Sequence, residues 1–395
     1  MSTLLMLSPA PIREVVAGEV VLDVKFVEGM KLHCQLWPGR VRCILWRGNA
    51  QIDDPMRYAT ARLGFELVVL DKGAPVPDLM FDDCALVYCA ADDMKHLDLP
   101  DIMRGRIGKT VFTVDQALGG RIGDALARDA PLRRKLGSAL WNLNKERALR
   151  RALAEADGIH CNGYPAYRRY SRLNRHALNY LDNRIRTPML ARNAEQEARA
   201  AYLRSGAPLR LAWYGALTPE SGVLDLLPVA YLLTLRGCAF TLDLFGAGPC
   251  RSRLQDGIDG LGLSRSVRLS EPPGFEARLV PYLRKNADLF LSPRRLPTPL
   301  SSYVEALGCG LPIVGYNNAM WRALQRHSRA GWIVRSGGIG AMARTIQKLD
   351  TDREALIAAS GRAVEFARAN SFETVFARRM NDLREIADRN DLLND

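Results

Sequence analysis

The sequence predicts an α/β protein with two doubly wound domains, because short apolar runs alternate with longer segments of helical periodicity. Six strand-like runs precede a polar stretch near residue 190, and six follow it. The runs are Leu4–Leu7, Val41–Trp46, Leu67–Leu70, Ala85–Cys89, Thr110–Val114, Gly158–Cys161, Leu209–Tyr214, Thr241–Phe245, Val267–Leu269, Leu289–Leu291, Pro312–Gly315 and Gly331–Val334. Apolar residues at helical spacing lie between them, as in Leu22 to Leu36 and Leu224 to Leu235. This alternation favours parallel sheets with crossover helices.

The boundary between the two predicted domains lies in Thr187–Pro208. This segment begins at Thr187-Pro188, continues through a polar, Ala-rich helical piece and ends at Ser205-Gly206-Ala207-Pro208. We therefore predict a first domain over 1–190 and a second over 207–370. Two doubly wound domains that face each other bind ligands at the carboxyl ends of their strands, in the cleft between them.

The composition is that of a globular protein without a membrane span. The 395 residues are 48% hydrophobic and 25% charged, and the formal net charge is +12. No apolar run approaches the roughly 20 residues that cross a bilayer. The start, Met1 to Pro9, lacks the basic region of a signal peptide, so we expect a cytoplasmic protein. The positive charge is compatible with nucleic acid, an anionic membrane face or phosphorylated substrates.

Cysteine and histidine spacing does not indicate a metal site. The eight cysteines form no CxxC pair and several lie in apolar runs, so we expect them to be reduced and structural. Four histidines show no ligand spacing, and His160, at a strand end, is more typical of a structural residue. From the sequence we expect no DxD-like cluster of carboxylates that would hold a divalent cation.

The stretch from Ala287 to Gly315 has the strongest features of a binding site. A predicted strand ends at Ser292-Pro293, and a helix begins near Ser301 and Ser302. Because a helix N-terminus presents free N–H groups, this position suits a diphosphate. Glu305 then falls in the first turn, where it can accept hydrogen bonds from a ribose. Alternatively, the spacing Ser302-x-x-Glu305 is a capping box with a purely structural role.

These residues resemble the donor-binding half of glycosyltransferase family 4. Ser292-Pro293 matches the family's Pro-Ser. The run Glu305-Ala-Leu-Gly-Cys-Gly310-Leu-Pro-Ile-Val314 matches the second glutamate of the family's Glu-x7-Glu element and the Gly-x-Pro-Val that follows it. The resemblance implies the GT-B fold, with two Rossmann-like domains facing a cleft, and a retaining sugar transfer. It also implies that Glu305 holds the nucleotide ribose.

Two further motifs extend the resemblance over most of residues 209–375. The segment from Leu211 to Val223 resembles the family's strand, Gly-Arg-Leu turn and Lys-Gly helix start, with Gly215 approaching a phosphate. Gly246-Ala-Gly248-Pro249 resembles the family's Gly-x-Gly-Pro. By the same resemblance, residues 371–395 form a helix that crosses back to the first domain, the first domain binds the acceptor, and the second binds the nucleotide-sugar donor.

Three positions depart from the family pattern. Pro297 replaces the first glutamate, and Ala216 and Ser221 replace the arginine and lysine that neutralise the diphosphate. Arg294 and Arg295 are candidate substitutes because a guanidinium suits phosphate or carboxylate. They would also suit a donor sugar that carries a carboxylate, and the alternative is a solvent-facing basic loop.

Candidate residues in the first domain are fewer. Asp115 follows the run Thr110–Val114, where a carboxylate can orient or deprotonate an acceptor hydroxyl. A turn-forming, capping aspartate is an equally good interpretation. Arg13, in the opening loop that begins at Ser8, and Gly18 are predicted to line the cleft on the acceptor side.

Residues 121–151 combine positive charge with interleaved apolar residues. The basic members are Arg121, Arg128, Arg133, Arg134, Lys135, Lys145, Arg147, Arg150 and Arg151, and the apolar ones are Leu132, Leu136, Leu140, Trp141 and Leu143. A basic amphipathic helix of this kind can lie on an anionic bilayer. Alternatively, it packs on its own domain with a solvated basic face.

The resemblance, together with the basic helix, implies a glycosyltransferase that transfers a sugar from a nucleotide-sugar, without a metal, to a lipid-linked or saccharide acceptor in surface polysaccharide biosynthesis. It would act peripherally on the inner face of the plasma membrane. Because of Pro297, Ala216 and Ser221, a non-catalytic, glycosyltransferase-like binding protein is the alternative. A nucleic-acid binder is disfavoured, since the chain lacks aromatic-basic modules.

Overall fold

The computed structural model describes residues 3–16, 18–48, 50, 52, 54–92, 94–127 and 130–389. The chain divides into two units. The first unit comprises residues 1–118, 140–180 and 373–395, and the second comprises 119–139 and 181–372. The division near residue 180 precedes the predicted boundary segment, and the predicted ranges 1–190, 207–370 and 371–395 stay a prediction.

The first half of the chain carries ten strands and five α-helices among its described residues. The strands are β1 Thr3–Leu7, β2 Arg13–Val16, β3 Glu19–Asp23, β4 Arg40–Trp46, β5 Pro55–Ala59, β6 Glu66–Leu70, β7 Cys84–Ala90, β8 Lys109–Val114, β9 Gly158–Asn162 and β10 Ala177–Tyr180. The helices are α1 Val24–Leu36, α2 Leu99–Ile102, α3 Leu118–Ala127, α4 Leu132–Glu155 and α5 Tyr164–Tyr170.

The second half alternates strands and helices more regularly. Its strands are β11 Leu209–Tyr214, β12 Phe240–Phe245, β13 Val267–Ser270, β14 Leu289–Ser292, β15 Ile313–Tyr316 and β16 Gly331–Val334. Its helices are α6 Asn193–Arg204, α7 Leu226–Leu235, α8 Arg251–Gly260, α9 Val280–Asn286, α10 Ser301–Gly308, α11 Ala319–Ser328, α12 Ile339–Thr351, α13 Arg353–Ala369 and α14 Phe372–Ala387. All twelve predicted strands are confirmed.

Both units contain a doubly wound parallel sheet. The first sheet runs β6-β4-β1-β7-β8-β9-β10, and the second runs β13-β12-β11-β14-β15-β16. Numbered within each sheet, both follow the order 3-2-1-4-5-6, the Rossmann order, and the first adds a seventh strand. Every residue of β1 is buried, as expected for a parallel strand covered by helices on both faces. The predicted pair of Rossmann-like domains is therefore confirmed.

The sequence did not indicate a small antiparallel sheet in the first unit. Strands β2, β3 and β5 form it, with β3 in the centre. The helical segment predicted from Leu22 begins two residues later, because Leu22 belongs to β3 and Asp23 caps α1 by accepting a hydrogen bond from the Phe26 N–H.

The last helix packs on the first unit. Met380, Leu383 and Ile386 of α14 belong to the buried cluster on one face of the first sheet. Across the described residues, every helix is too short or too polar to cross a membrane.

Candidate functional site

The second sheet has its topological switch point between β11 and β14. Strands β12 and β13 lie on one side of this pair, and β15 and β16 lie on the other. Ligands of doubly wound proteins bind outside the carboxyl ends of the strands at this point. Here those ends are Tyr214 and Ser292, so Gly215 and the segment 293–300, called the donor loop below, flank the switch point.

The turn after β11 is packed backbone to backbone against the turn after β12. The Leu217 N–H donates to the Ala247 carbonyl at 2.8 Å, and the Cys250 N–H donates to the Leu217 carbonyl at 2.8 Å. A Cβ at residue 246 would lie 2.2 Å from the Gly215 carbonyl oxygen, so only glycine fits there. Gly215 itself is exposed, which leaves the turn accessible to a ligand.

Glu305 lies at the centre of the predicted donor site. Glu305 is 1% exposed. Its Oε1 accepts hydrogen bonds from the Arg184 backbone N–H at 3.1 Å and from Arg184 Nε at 2.9 Å. Its Oε2 accepts from Arg184 Nη2 at 3.2 Å and from the Tyr214 hydroxyl at 2.9 Å. Burial, followed by the charge of Glu305, raises the pKa of Tyr214 well above its ordinary value, so this hydroxyl stays protonated and donates.

The capping-box interpretation of Glu305 is wrong. Helix α10 begins at Ser301, as predicted, but Glu305 is its fifth residue and lies beyond the first turn. The N-cap is Leu300, which has no polar side chain, and no capping hydrogen bond is formed. The carboxylate is used instead by Arg184 and Tyr214, two residues that sequence reasoning did not single out.

Ser301 and Ser302 form the uncapped start of α10 next to Tyr214. The Tyr214 hydroxyl lies 3.4 Å from the Ser302 carbonyl oxygen as well as 2.9 Å from Glu305. The end of β11 and the start of α10 are therefore in contact, as the donor-site prediction requires. The first N–H groups of a helix without a side-chain cap can bind an anion.

Arg294 and Arg295 lie on the donor loop and have different surroundings. Arg294 is mostly buried, donates from Nε to the Thr298 hydroxyl at 2.8 Å and lies 3.9 Å from the Asp124 carboxylate. Arg295 is 55% exposed and pairs with Asp225 at 2.6 Å. Asn318 fixes this loop by donating to the Arg294 carbonyl at 2.9 Å.

The positions that depart from the family pattern do not carry charge. Ser221 is buried, and its hydroxyl donates to the Thr218 carbonyl at 2.7 Å. Ala216 is exposed on the turn after β11. Pro297 lies within the donor loop, half-buried. The donor loop itself carries two cations, Arg294 and Arg295.

In the first unit, Asp115 follows β8 and is exposed. Its Oδ1 accepts from Asn162 Nδ2 at 3.2 Å and lies 3.4 Å from the Tyr180 hydroxyl. Its backbone N–H donates to the Asp92 carboxylate at 2.6 Å, so Asp92 caps the turn. The Asp115 carboxylate does not take this role and contacts Asn162 and Tyr180 instead.

Arg13 lies in the small antiparallel sheet, and Gly18 lies in a turn of it. Arg13 is exposed in β2, so the predicted loop from Ser8 ends one residue before it. Gly18 forms the turn from β2 to β3, and its carbonyl accepts from the Thr60 N–H at 2.9 Å.

A buried polar chain, which the sequence did not reveal, joins α14 to the first sheet. Arg379 donates to the Tyr88 hydroxyl at 2.6 Å, Tyr88 contacts His160 Nδ1 at 2.8 Å, and His160 Nε2 contacts Asp382 at 2.9 Å. Burial lowers the pKa of His160, although Asp382 opposes this effect. Since these groups bond to one another inside the unit, we assign them a structural role.

Within the described part of the chain, no group of three or more His, Cys, Asp and Glu residues is placed to hold a metal ion. The eight cysteines are all free thiols, and six of them are buried.

Comparison with known proteins agrees with this geometry. Residues 208–352 match the family described as Glycosyl transferases group 1. The match contains Gly215, both donor-loop arginines, Ser301, Ser302 and Glu305. It confirms the resemblance to glycosyltransferases that the sequence motifs indicated.

The chain is also similar to proteins named as glycosyltransferases. It is 28% identical over 158 residues to WcaL of Escherichia coli (strain K12), whose name assigns it to colanic acid biosynthesis. The corresponding protein of Salmonella typhimurium is 27% identical over 148 residues. The alignment spans 37% of this chain and 37% of the E. coli protein, so only about a third of each protein is compared.

Solved structures share the fold over nearly the whole chain. The structure of Anabaena Alr3699/HepE in complex with UDP gives a TM-score of 0.67 at 13% identity and covers 98% of this chain and 100% of that one. WaaG, a glycosyltransferase involved in lipopolysaccharide biosynthesis, gives 0.61 at 11% identity and covers 96% and 99%. The predicted GT-B fold is thereby confirmed.

Proposed function

We propose that this protein, whose residues 208–352 form a group 1 glycosyl transferase domain, transfers a sugar from a nucleotide-sugar donor to a lipid-linked or saccharide acceptor. The observation that carries the proposal is that β11, the donor loop and α10 bring the family's motifs together at the switch point. The names of the relatives support a role in bacterial surface polysaccharide biosynthesis.

The donor binds the second domain. Gly215 and the N–H groups of Ser301 and Ser302 hold the diphosphate, and Glu305 accepts hydrogen bonds from the ribose. A structural neighbour is a complex with UDP and another is a complex with UDP-glucose, which supports a nucleotide-sugar donor.

The donor-loop arginines compensate for the missing cations at Ala216 and Ser221. A Cβ at residue 222 would lie 2.2 Å from the Pro293 carbonyl oxygen, so the donor loop begins directly against the Ser221-Gly222 turn. Arg295 also bonds to Asp225, four residues beyond Ser221. Guanidinium groups on this loop are thus held beside the position where the family carries its lysine, and they stabilise the departing diphosphate.

The acceptor binds the first domain, where Asp115 orients its hydroxyl. The acceptor oxygen bonds to the anomeric carbon as the bond from that carbon to the diphosphate breaks on the same face. The departing phosphate oxygen takes the proton, and the configuration is retained. With its charge balanced by Arg294, Arg295 and the α10 terminus, the diphosphate needs no metal ion. Transfer is therefore expected to be unchanged in EDTA, and loss of activity restored by Mg²⁺ would contradict this part of the proposal.

The N-terminal half of α4 docks on an anionic membrane. None of the residues 132–141 is buried. Leu132, Leu136, Leu140 and Leu143 are 48–69% exposed and recur every three or four residues, so they form one apolar stripe. The helix is anchored to its domain further along, through Leu149 and Leu153.

The helix that carries this leucine stripe is also strongly basic. Arg133, Arg134 and Arg147 are exposed, as are Lys145 and Arg151, and all lie within α4. The combination fits the interface of a bilayer that contains anionic lipids. Arg121 does not belong to this surface as predicted, because it is buried in α3. Arg128 lies outside the described residues.

A thermal-shift panel of UDP-, GDP- and TDP-sugars tests the function. A ligand that binds the folded state at 100 times its Kd adds about 2.7 kcal/mol of stability and raises the Tm. We expect one nucleotide class to stabilise the wild type and to fail with Glu305→Gln. Glu276→Gln, at an exposed glutamate of the same unit, should behave as wild type. If no donor binds, the non-catalytic alternative is favoured. If a donor binds equally well to Glu305→Gln, the site assignment is wrong.

A further inference from the structure

The Glu305 carboxylate has no vacant acceptor position. A carboxylate offers about four lone-pair sites, two on each oxygen. Here four donors fill them: the Arg184 N–H, Nε and Nη2, and the Tyr214 hydroxyl. Because Glu305 is 1% exposed, water cannot substitute for these donors. A ribose can therefore bond to Glu305 only if a present donor leaves.

The backbone of Arg184 is fixed on the second unit. The neighbouring Ile185 carbonyl accepts from the Phe372 N–H at 2.9 Å, and the Ile185 side chain packs against Gly308 of α10. The Ala191 N–H donates to the Gly308 carbonyl at 2.8 Å. The backbone hydrogen bond from Arg184 to Glu305 is thus part of the framework and stays in place.

The Arg184 side chain is the donor most able to move. Its guanidinium lies 4.0 Å from the centre of the Phe275 ring, and its side chain is 36% exposed. When it releases Glu305, water can solvate it and Phe275 can still stack on it. The Tyr214 hydroxyl also has a second acceptor, the Ser302 carbonyl at 3.4 Å.

We propose that Arg184 is an internal competitor of the donor, whose guanidinium occupies the Glu305 acceptors that the ribose hydroxyls require and withdraws when the nucleotide binds. This inference rests on the proposed function, in which Glu305 holds the ribose. It gives Arg184 control over donor affinity and over specificity: a diphosphate without a ribose does not displace Arg184, and a 2′-deoxyribose replaces fewer of its hydrogen bonds.

Binding of UDP and of inorganic pyrophosphate to Arg184→Ala, measured by calorimetry, tests this competition. Removing the guanidinium frees two acceptors, so we expect UDP to bind about fivefold more tightly, the effect of a partly exposed ion pair. Pyrophosphate should not gain, because it makes no bond to Glu305. Arg186→Ala removes an arginine two residues away that pairs with the exposed Glu276, and it should bind UDP as wild type does.

The measured affinities separate a failure of the competition from a failure of the proposed function. Equal or weaker UDP binding by Arg184→Ala, with UDP still binding the wild type, would overturn the competition and leave the proposed function standing. A parallel gain for pyrophosphate would also overturn it. Absence of UDP, GDP and TDP binding to both proteins would overturn the proposed function itself. If Arg184→Ala does not fold, Arg184→Lys serves instead, with a smaller gain because one ammonium replaces a two-pronged guanidinium.

Discussion

The carbonyl oxygen of Pro293 lies against Gly222, so closely that a Cβ at residue 222 would approach it to 2.2 Å. Gly222 also has φ +73°, in the left-handed region where glycine is favoured. This contact joins the turn after β11 to the first residue of the donor loop. The two halves of the donor site are therefore positioned by a backbone contact as well as by the side chains described above.

Replacing Gly222 with Ala should destabilise the second domain strongly. The left-handed conformation alone costs about 1 kcal/mol, and the clash with Pro293 adds ~1–3 kcal/mol. Gly237→Ala is the matched control, because Gly237 has φ +72° and no atom within 4 Å of its Cβ position. Unfolding in guanidinium chloride, followed by circular dichroism, gives the free energy of unfolding of both variants. Equal losses in the two variants would show that the Pro293 contact is unimportant.

Arg199 of α6 should be indispensable for stability. It is 3% exposed and donates to the carbonyl oxygens of Ala287, Gly310, Arg284 and Cys309 and to the Ser360 hydroxyl. Arg199→Met removes the donor from five buried acceptors, of which only the Gly310 carbonyl still accepts from the Ser360 hydroxyl, so the free energy of unfolding should fall by at least ~3 kcal/mol.

Arg204→Met on the same helix provides the control for Arg199. Arg204 pairs with Glu354, and both side chains are more than half exposed, so its loss should cost no more than about 1 kcal/mol. Chemical denaturation of the two variants side by side makes the comparison. A small effect at Arg199 would mean that water replaces its hydrogen bonds.

Burial pattern explains which strands the sequence predicts. Parallel strands covered on both faces have continuous apolar runs, and each of the twelve predicted strands belongs to a parallel sheet. The missed strand β5 is exposed at four of its five positions, and the missed β10 is a short edge strand. Neither strand carries a continuous apolar run from which it could be identified.

The candidate site could be predicted only where its residues follow one another in the chain. Ser301, Ser302 and Glu305 form one local motif, and a helix does begin there. Arg184 is 121 residues from Glu305, so no local spacing connects them. Arg199 lies in the polar, Ala-rich segment that suggested a domain boundary. An arginine that bonds to carbonyl groups in the interior cannot be distinguished in sequence from a solvated one, so its buried role could not be predicted.

Stability should fall in mild acid because of His33. Burial, reinforced by the charge of Arg379, lowers the pKa of His33 from 6.5 to about 3. The unfolded chain takes up a proton below pH 6.5 and the folded one only near pH 3. The stabilisation that comes from keeping His33 neutral in the folded state is therefore complete above pH 6.5. It is lost as the pH falls, by about 1.4 kcal/mol per pH unit.

Comparison of wild type with His33→Leu isolates this titration from that of other groups. Between pH 6.5 and 4.5 the wild type should lose roughly 2.5 kcal/mol more than the variant. Urea unfolding at several pH values measures the difference. Parallel pH profiles for the two proteins would show that His33 does not carry the effect.

The leucine stripe of α4 should determine membrane binding. Leu136 and Leu140 are 55% and 58% exposed, so each gains about 1 kcal/mol when its remaining exposed surface is buried in the bilayer interface. Leu136→Glu combined with Leu140→Glu should therefore reduce binding to phosphatidylglycerol-containing vesicles at least ~10-fold. Leu235→Glu is the control, because Leu235 is 64% exposed but ends α7, a helix that contains no basic residue. Cosedimentation at two salt concentrations measures the apolar and the electrostatic contributions. Unchanged binding by the double variant would exclude α4 as the docking surface, and weaker binding by Leu235→Glu would place that surface at the end of α7.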